Sequence, residues 1–224
     1  IYPIIGDTKL ILDRNYKVAT GNYYTGLMEF EDMSFMLHYL NETDLFIDIG
    51  ANIGYTSFVF SRALEKPFKI FAFEPEKRNF EILTQASQQY NFSKQLVLVA
   101  AAVGDTDGEI ELWNNEAHNG DHRILTTELK KQLKGDVKIQ KIPIVTLDNY
   151  LKKQTGNFPV AFVKIDVQGY ELAVCKGMVD LLAQNPDAVV GFEYCPSVME
   201  SLGFDAQNLV QFFRENGYAF YILD

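Results

Sequence analysis

The sequence predicts an α/β fold built on a doubly wound, mostly parallel Rossmann-like sheet. Three observations carry that prediction. From Leu45 onward, strand-sized apolar runs alternate with amphipathic helical runs, the pattern of parallel strands joined by crossover helices. Leu45 to Tyr55, LFIDIGANIGY, joins an apolar strand to a helix through a Gly-containing turn. IFAFEPE then ends a second apolar strand in acids about twenty residues later. Finally, Asp48, Glu74, Asp166, Glu193 and the stretch from Ala100 to Asp105 all fall at the carboxyl ends of expected strands, where open α/β sheets bind ligands.

The elements follow in order. Lys9 to Ala19 alternates around Asp13-Arg14-Asn15 and reads as a short hairpin. Phe30, Met33, Leu37 and Leu40 fall at helical spacing, so a leading helix is expected to pack on the sheet. Strand Leu45 to Ile49 precedes a helix from Tyr55 to Leu64. Strand Lys69 to Phe73 precedes a helix whose Phe80, Leu83, Ala86 and Tyr90 mark its buried face, and strand Gln95 to Ala100 follows. The alternation then breaks. An extra strand Gly108 to Trp113, a polar loop Asn114 to Arg123 and an amphipathic helix Ile124 to Leu133 closed by Gly135 form an insertion after the third core strand. Lys138 to Val145 extends again, Leu147 to Lys153 reads as a short helix, and the apolar Val160 to Asp166 is expected near the sheet centre. Helix Tyr170 to Leu182, strand Ala188 to Tyr194, helix Ala206 to Glu215 with Asp205 as N-cap and Gly217 past its end, and strand Tyr218 to Ile222 complete six main strands.

With 224 residues, 47% of them hydrophobic, and no Pro/Gly/Ser-rich linker, the chain is expected to form one domain. Residues 1–44 would be an extension packed on a cofactor-binding fold of residues 45–224. The apolar runs, such as Leu96 to Val103, fall far short of the roughly 20 residues a membrane span needs. Cys175 and Cys195 read as reduced, mostly buried thiols, and a cytoplasmic location is expected. The chain begins at Ile1 with no charged and apolar leader, which is compatible with a piece of a longer protein. A net charge of −10 argues against general nucleic-acid binding. Locally, six basic residues (Arg123, Lys130, Lys131, Lys134, Lys138, Lys141) stand against Glu128 and Asp136 between His122 and Lys141. That stretch is either a solvated face or an attractor of an anionic acceptor.

The turn after the first core strand describes a nucleoside site. Gly50 and Gly54 allow a sharp bend and a close ligand, and the following helix offers free N–H groups and a positive dipole end. Glu74 on the neighbouring strand is placed to accept two hydrogen bonds from a ribose diol. Two acids ending adjacent apolar strands, Asp48 and Glu74, favour a ligand over coincidence, because burying an acid without a partner is unfavourable. A dinucleotide fingerprint would need glycines at positions 50, 52 and 55, where the chain has Gly50, Asn52 and Tyr55. NAD is therefore disfavoured. S-adenosylmethionine, with an adenosine, one carboxylate and an ammonium but no pyrophosphate, suits the roomier turn, with Asp48 available to the ammonium and Asn52 to the methionyl end.

DIGANIGY (48–55), FAFEP (71–75), AAVGDTDGEIEL (101–112), VTLDNYL (145–151) and VKIDVQGYE (163–171) resemble, in that order, the FkbM-type S-adenosylmethionine-dependent methyltransferases. The resemblance implies a class I methyltransferase sheet of order 3-2-1-4-5-7-6, with the seventh strand not evident here. To the cofactor contacts expected at the turn and strand ends, Asp48, Gly50, Ala51, Asn52, Gly54 and Glu74, it adds Ala101, Ala102 and Asp105 near the adenine. It also implies methylation of an oxygen on a sugar, glycan or polyketide-like metabolite. Gln168 departs from the Glu usual in the family's KIDVEG-like motif.

Asp166 and His122 are the catalytic candidates, with His118 and Glu193 behind them. By resemblance Asp166 ends the strand beside the transferred methyl; otherwise it caps the next turn. His122, in the polar loop EAHNGDHR, is a base if that loop folds over the acceptor. No tight ligand spacing supports a divalent cation among Asp166, Glu193, His118, Asp121 and His122, so no metal is expected. Tyr23, Tyr24, Gly21 and Gly26 read either as an acceptor lid or as a cover for the core. The rival readings are an NAD-dependent oxidoreductase and a non-catalytic module with the cofactor-binding fold.

Overall fold

The computed structural model describes residues 2–5, 8–10, 30–40, 45–63, 69–91, 95–118, 120–154 and 159–222. β1 (Tyr2–Ile5) and β2 (Thr8–Leu10) pair antiparallel. The hairpin expected around Asp13 to Asn15 lies outside the described residues, as do Gly21, Tyr23, Tyr24 and Gly26. α1 (Phe30–Tyr39) is the expected leading helix and buries Met33 and Met36, joined by Leu40 just past its end, against Phe46 and Phe162 of the sheet.

The core elements are β3 (Leu45–Ile49), α2 (Tyr55–Ala63), β4 (Lys69–Phe73), α3 (Lys77–Gln89) and β5 (Leu96–Val99). An inserted group follows: β6 (Ala102–Val103), β7 (Gly108–Asn114), β8 (Arg123–Ile124), α4 (Thr127–Gln132), β9 (Lys138–Val145) and α5 (Leu147–Lys152). The chain returns to the core through β10 (Val160–Ile165), α6 (Glu171–Lys176), α7 (Val179–Gln184), β11 (Val189–Phe192), α8 (Pro196–Ser201) and α9 (Ala206–Glu215).

The main sheet has the order β11-β10-β3-β4-β5, all parallel. This reproduces the first five positions of the expected methyltransferase order. Strand periodicity divides its core in two. Leu45, Ile47 and Ile49 face one cluster with Phe71, Phe73 and the helices after β10. Phe46 faces the other, with Ile70, Ala72 and the helices α1 to α3. β3, buried along its whole length, sits at the centre with β10 beside it.

The insertion is a second sheet, of order β6-β9-β7-β8. Its long antiparallel pair runs from Gly108 opposite Ile144 to Asn114 opposite Lys138. The apolar run Leu96 to Val103 is therefore shared between two sheets, its last residues pairing with β9 instead of β4. Leu112, Ile124, Ile142 and Ile144 pack against Tyr170 and Ala173, seating the second sheet on the first.

Four expectations are corrected. The helix expected from Ile124 begins only at Thr127, because Ile124 pairs with Leu112 of β7 and the Leu125 N–H donates to the Glu111 carbonyl. Thr126 is its N-cap, its hydroxyl accepting from the Leu129 N–H. The helix expected over Tyr170 to Leu182 is broken at Gly177, whose backbone presses on Gly104 and whose carbonyl accepts from the Asp148 N–H. The Asp148 carboxylate then accepts from the Asp180 and Leu181 N–H groups and starts α7. Tyr218 to Ile222 makes no strand: the Tyr218 N–H returns to the Phe213 carbonyl, and Phe220 packs edge-on against Phe192 and Phe213. α8, with Pro196 in its first turn, falls where the sequence reading placed no element.

Candidate active site

An open cavity lies across the carboxyl ends of β3, β4, β5 and β10. Its wall comprises Ile49, Gly50 and Asn52 from the turn after β3, Phe73, Glu74, Pro75 and Asn79 after β4, and Ala101, Ala102 and Val103 after β5. Asp166, Val167, Gln168 and Tyr170 follow β10, and Leu112, Gly120, His122 and Ile124 come from the insertion.

Glu74 is buried and fixed from both sides. Its Oε2 accepts from the Asn52 N–H and its Oε1 from the Glu76 N–H, both at 2.8 Å. Burial pushes its carboxyl up to about 8, outweighing these donors and the side chain of Asn79, which favour the charged form. Asn52 sits at φ 52, its Oδ1 accepting from the Ile53 N–H, so the turn carries Asn in a left-handed conformation that suits it.

Gly50, at φ 84, makes the expected bend at the cavity wall and serves a second purpose besides. A Cβ there would lie 1.9 Å from the Asp166 carbonyl oxygen, so the glycine lets the β3 and β10 strand ends approach. Gly54, at φ 90, likewise lets the turn pack on Phe58 and Leu83. Ala51, Gly54 and Asp48 lie outside the cavity wall. Asp48 is fully buried, its Oδ2 accepting from the Ser57 hydroxyl at 2.6 Å and its Oδ1 without a hydrogen-bond partner among the described residues. Burial raises its carboxyl, with Lys164 opposing. Asp105 is exposed and away from the wall, whereas Ala101 and Ala102 are part of it.

Asp166 and His122, far apart in sequence, line the same cavity. Asp166 Oδ1 accepts from Gln168 Nε2 at 2.9 Å, and its Oδ2 lies 3.4 Å from Lys164 Nζ. His122 Nδ1 accepts from the Asn115 N–H at 3.1 Å, which assigns the proton of the neutral ring to Nε2; burial lowers its pKa. His118 is exposed, outside the wall, and closes its loop on Asn115. Among the described residues, no His, Cys, Asp or Glu side chains are grouped to hold a metal ion.

Sequence reasoning missed Asn79, Tyr170, Leu112 and Ile124. Only Asn79, one turn after FAFEP, had a readable signal. It also missed a link from the main sheet to the insertion: Glu76 caps α3 by accepting from the Asn79 N–H, and its other oxygen accepts from Asn114 Nδ2 at 3.3 Å. The basic stretch does not converge on the wall. Lys130, Lys131 and Lys138 pair with Glu111, Glu128 and Glu116 on the exposed side.

A parallel sheet of this order, with its cavity over the strand ends and an acid after the second core strand, defines a Rossmann-like class I methyltransferase fold. Residues 48–220 match the family described as the methyltransferase FkbM domain, and the chain belongs to that family. It is 28% identical over 149 residues to hexuronic acid methyltransferase AglP of Haloferax volcanii, a match covering 66% of this chain and 55% of that protein. The chain thus spans about half the length of this curated relative. In structure it is similar to methyltransferase FkbM from Methylobacillus flagellatus KT, with a TM-score of 0.54 and 14% identity over 83% of this chain and 40% of that one. It is also similar to precorrin-6y C5,15-methyltransferase from Geobacter metallireducens GS-15, with a TM-score of 0.50 and 15% identity over 98% of this chain and 84% of that one.

The cofactor is S-adenosylmethionine, and the residues present fit it. Glu74 retains lone pairs at the cavity wall for a diol, and Ile49, Phe73 and Val103 offer apolar surface to a purine. Among the described residues, no helix is long and apolar enough to cross a membrane.

Proposed function

We propose that this chain is an O-methyltransferase that uses S-adenosylmethionine to methylate a hydroxyl of a sugar, glycan or polyketide-like metabolite. The observation that carries the reading is Glu74, a buried carboxylate at the end of the second core strand, held open to the cavity by two backbone N–H groups. Membership in the FkbM family and the sugar-acid methyltransferase among the relatives support it.

When bound, the cofactor would supply the methyl group of a sulfonium, its C–S bond breaking as the acceptor oxygen takes the methyl and the neutral thioether leaves. Glu74 takes the ribose hydroxyls, Ala101 and Ala102 the adenine edge, and Asn52 with the turn the methionyl end. Asp48, off the wall and bonded to the Ser57 hydroxyl, would act on the bound group only indirectly, through the turn it supports. Asp166 receives the hydrogen bond of the acceptor hydroxyl and takes its proton as the new bond forms, a contribution of about 10²–10⁴-fold. His122 cannot be that base as it is placed, because its Nδ1 lone pair faces the Asn115 N–H; its Nε2–H instead donates to the acceptor. The insertion roofs the cavity and keeps water from the transfer.

Calorimetric titration with S-adenosylmethionine and with NAD tests the reading, followed by a hydroxylated acceptor panel. Binding of the first and not the second is expected, with Glu74→Gln weakening it by about 10–100-fold, the worth of one hydrogen bond to a charged group. Absence of binding by the wild type would end the proposal.

A further inference from the structure

The turn after β10 holds a residue in a conformation its type seldom takes. Gln168 is left-handed, with φ 54, and strained backbone of this kind persists where surrounding contacts enforce it. Those contacts are present. Glu171 Oε1 accepts from the Gly169 N–H at 3.0 Å and the Val167 N–H at 3.4 Å, and Val198 and Leu202 close on Gly169. So held, the Gln168 amide nitrogen donates to Asp166 Oδ1 at 2.9 Å and to Glu193 Oε2 at 3.3 Å. The two carboxylates end neighbouring parallel strands, in register at Ile165 and Phe192. Carboxylates in direct contact ordinarily share a proton or a cation. Here an amide donor lies between them.

We propose, resting on the methyltransferase reading of the cavity, that Gln168 is a positioning residue standing in for a bridging cation: it fixes Asp166 and Glu193 as a pair and so holds the Asp166 carboxyl group in place for the acceptor. The charged groups around the pair are Lys164 on β10, Asp121 in the loop before β8, Asp48 on β3 and Glu171 on α6. Burial and then Asp166 push Glu193 up, while Gln168 and Lys164 hold it down. Removing the amide takes away one of the two restraints, and Gln168→Glu adds a third carboxylate to the pair.

The test uses the full chain as wild type, Gln168→Ala and Gln168→Glu. Carboxyl ¹³C NMR titration is expected to show Glu193 titrating about one pH unit or more higher in both variants. Melts with millimolar MnCl₂ should stabilise Gln168→Glu by several degrees and the wild type hardly at all. Glu193 titrating at the same pH in all three proteins, or manganese stabilising the wild type as much as Gln168→Glu, overturns the proposal. Should Gln168→Glu fail to fold, the titration of Gln168→Ala decides alone. Calorimetry of the wild type with S-adenosylmethionine separates the two readings: no binding there removes the methyltransferase assignment, while the carboxyl titration still judges Gln168.

Discussion

At Glu74, two backbone donors favour the carboxylate, burial opposes it, and burial wins, placing its pKa at about 8. A folded value above the ordinary 4.5 means that this group's contribution to stability is complete below about 4.5 and is lost as the pH climbs through about 8. Asp48 and Glu171, also raised by burial, act in the same direction. The apo protein is therefore expected to melt higher at pH 6 than at pH 8. A ribose diol donating to Glu74 favours the charged form, so S-adenosylmethionine should release a proton on binding and bind more tightly as the pH rises toward 8, by up to about tenfold per unit. Calorimetry in phosphate and in Tris reads the proton directly, and Glu74→Gln should abolish it. Gly50→Ala is a second test at this scale: a left-handed Cβ forced onto the Asp166 carbonyl should destabilise by about 2 kcal/mol or more, lowering the melting temperature by roughly 4–8 °C. Glu74, Asn52 and Gly50 were legible because an acid or a turn residue at the end of an apolar run is a one-dimensional signal. Tyr170, Leu112 and Ile124 were not, since only the seating of one sheet on another brings them to the cavity.

The elements divide along the same line. β3, β4, β9 and α9 fall where apolar spacing and caps placed them, because their pattern is local: Asp205 accepts from the Gln207 N–H at the start of α9, as an N-cap does. The helix misread from Ile124 and the one broken at Gly177 are decided by partners remote in sequence, Leu112 for the first and Gly104 for the second. Helical spacing of apolar residues cannot distinguish a buried helix from a strand end leading into one. Glu76 joins both kinds of information, since it caps α3 and reaches Asn114 at the end of β7. Glu76→Ala is expected to destabilise by about 1–2 kcal/mol through the lost cap alone. Freeing Asn114 should also loosen the loop before β8, and faster proteolysis between Asn115 and Asp121 than in a cap-only variant such as Thr126→Ala would register that second effect.

For the whole molecule, two cores serve two purposes. Phe46 is fully buried on the α1–α3 side of the main sheet, packed on Phe60 at 4.9 Å and Phe162 at 6.0 Å between ring centroids, away from the cavity wall. Ile142 is equally buried in the second sheet, in one cluster with Leu112, Ile124 and Tyr170, which do form the wall. Phe46→Ala should remove about 3–5 kcal/mol and Ile142→Ala about 2–5 kcal/mol, because each leaves a cavity that close-packed neighbours fill only in part. Their effects on the ligand should diverge. At temperatures where both variants are folded, Phe46→Ala is expected to keep the wild-type affinity for S-adenosylmethionine, whereas Ile142→Ala lets the roof shift and weakens it severalfold. Denaturant melts and calorimetry on the same two proteins measure both quantities. Equal losses of affinity would mean that the second sheet is only a stabilising appendage; a loss confined to Ile142→Ala would make it a functional part of the donor cavity, reached through packing that no local stretch of the chain encodes.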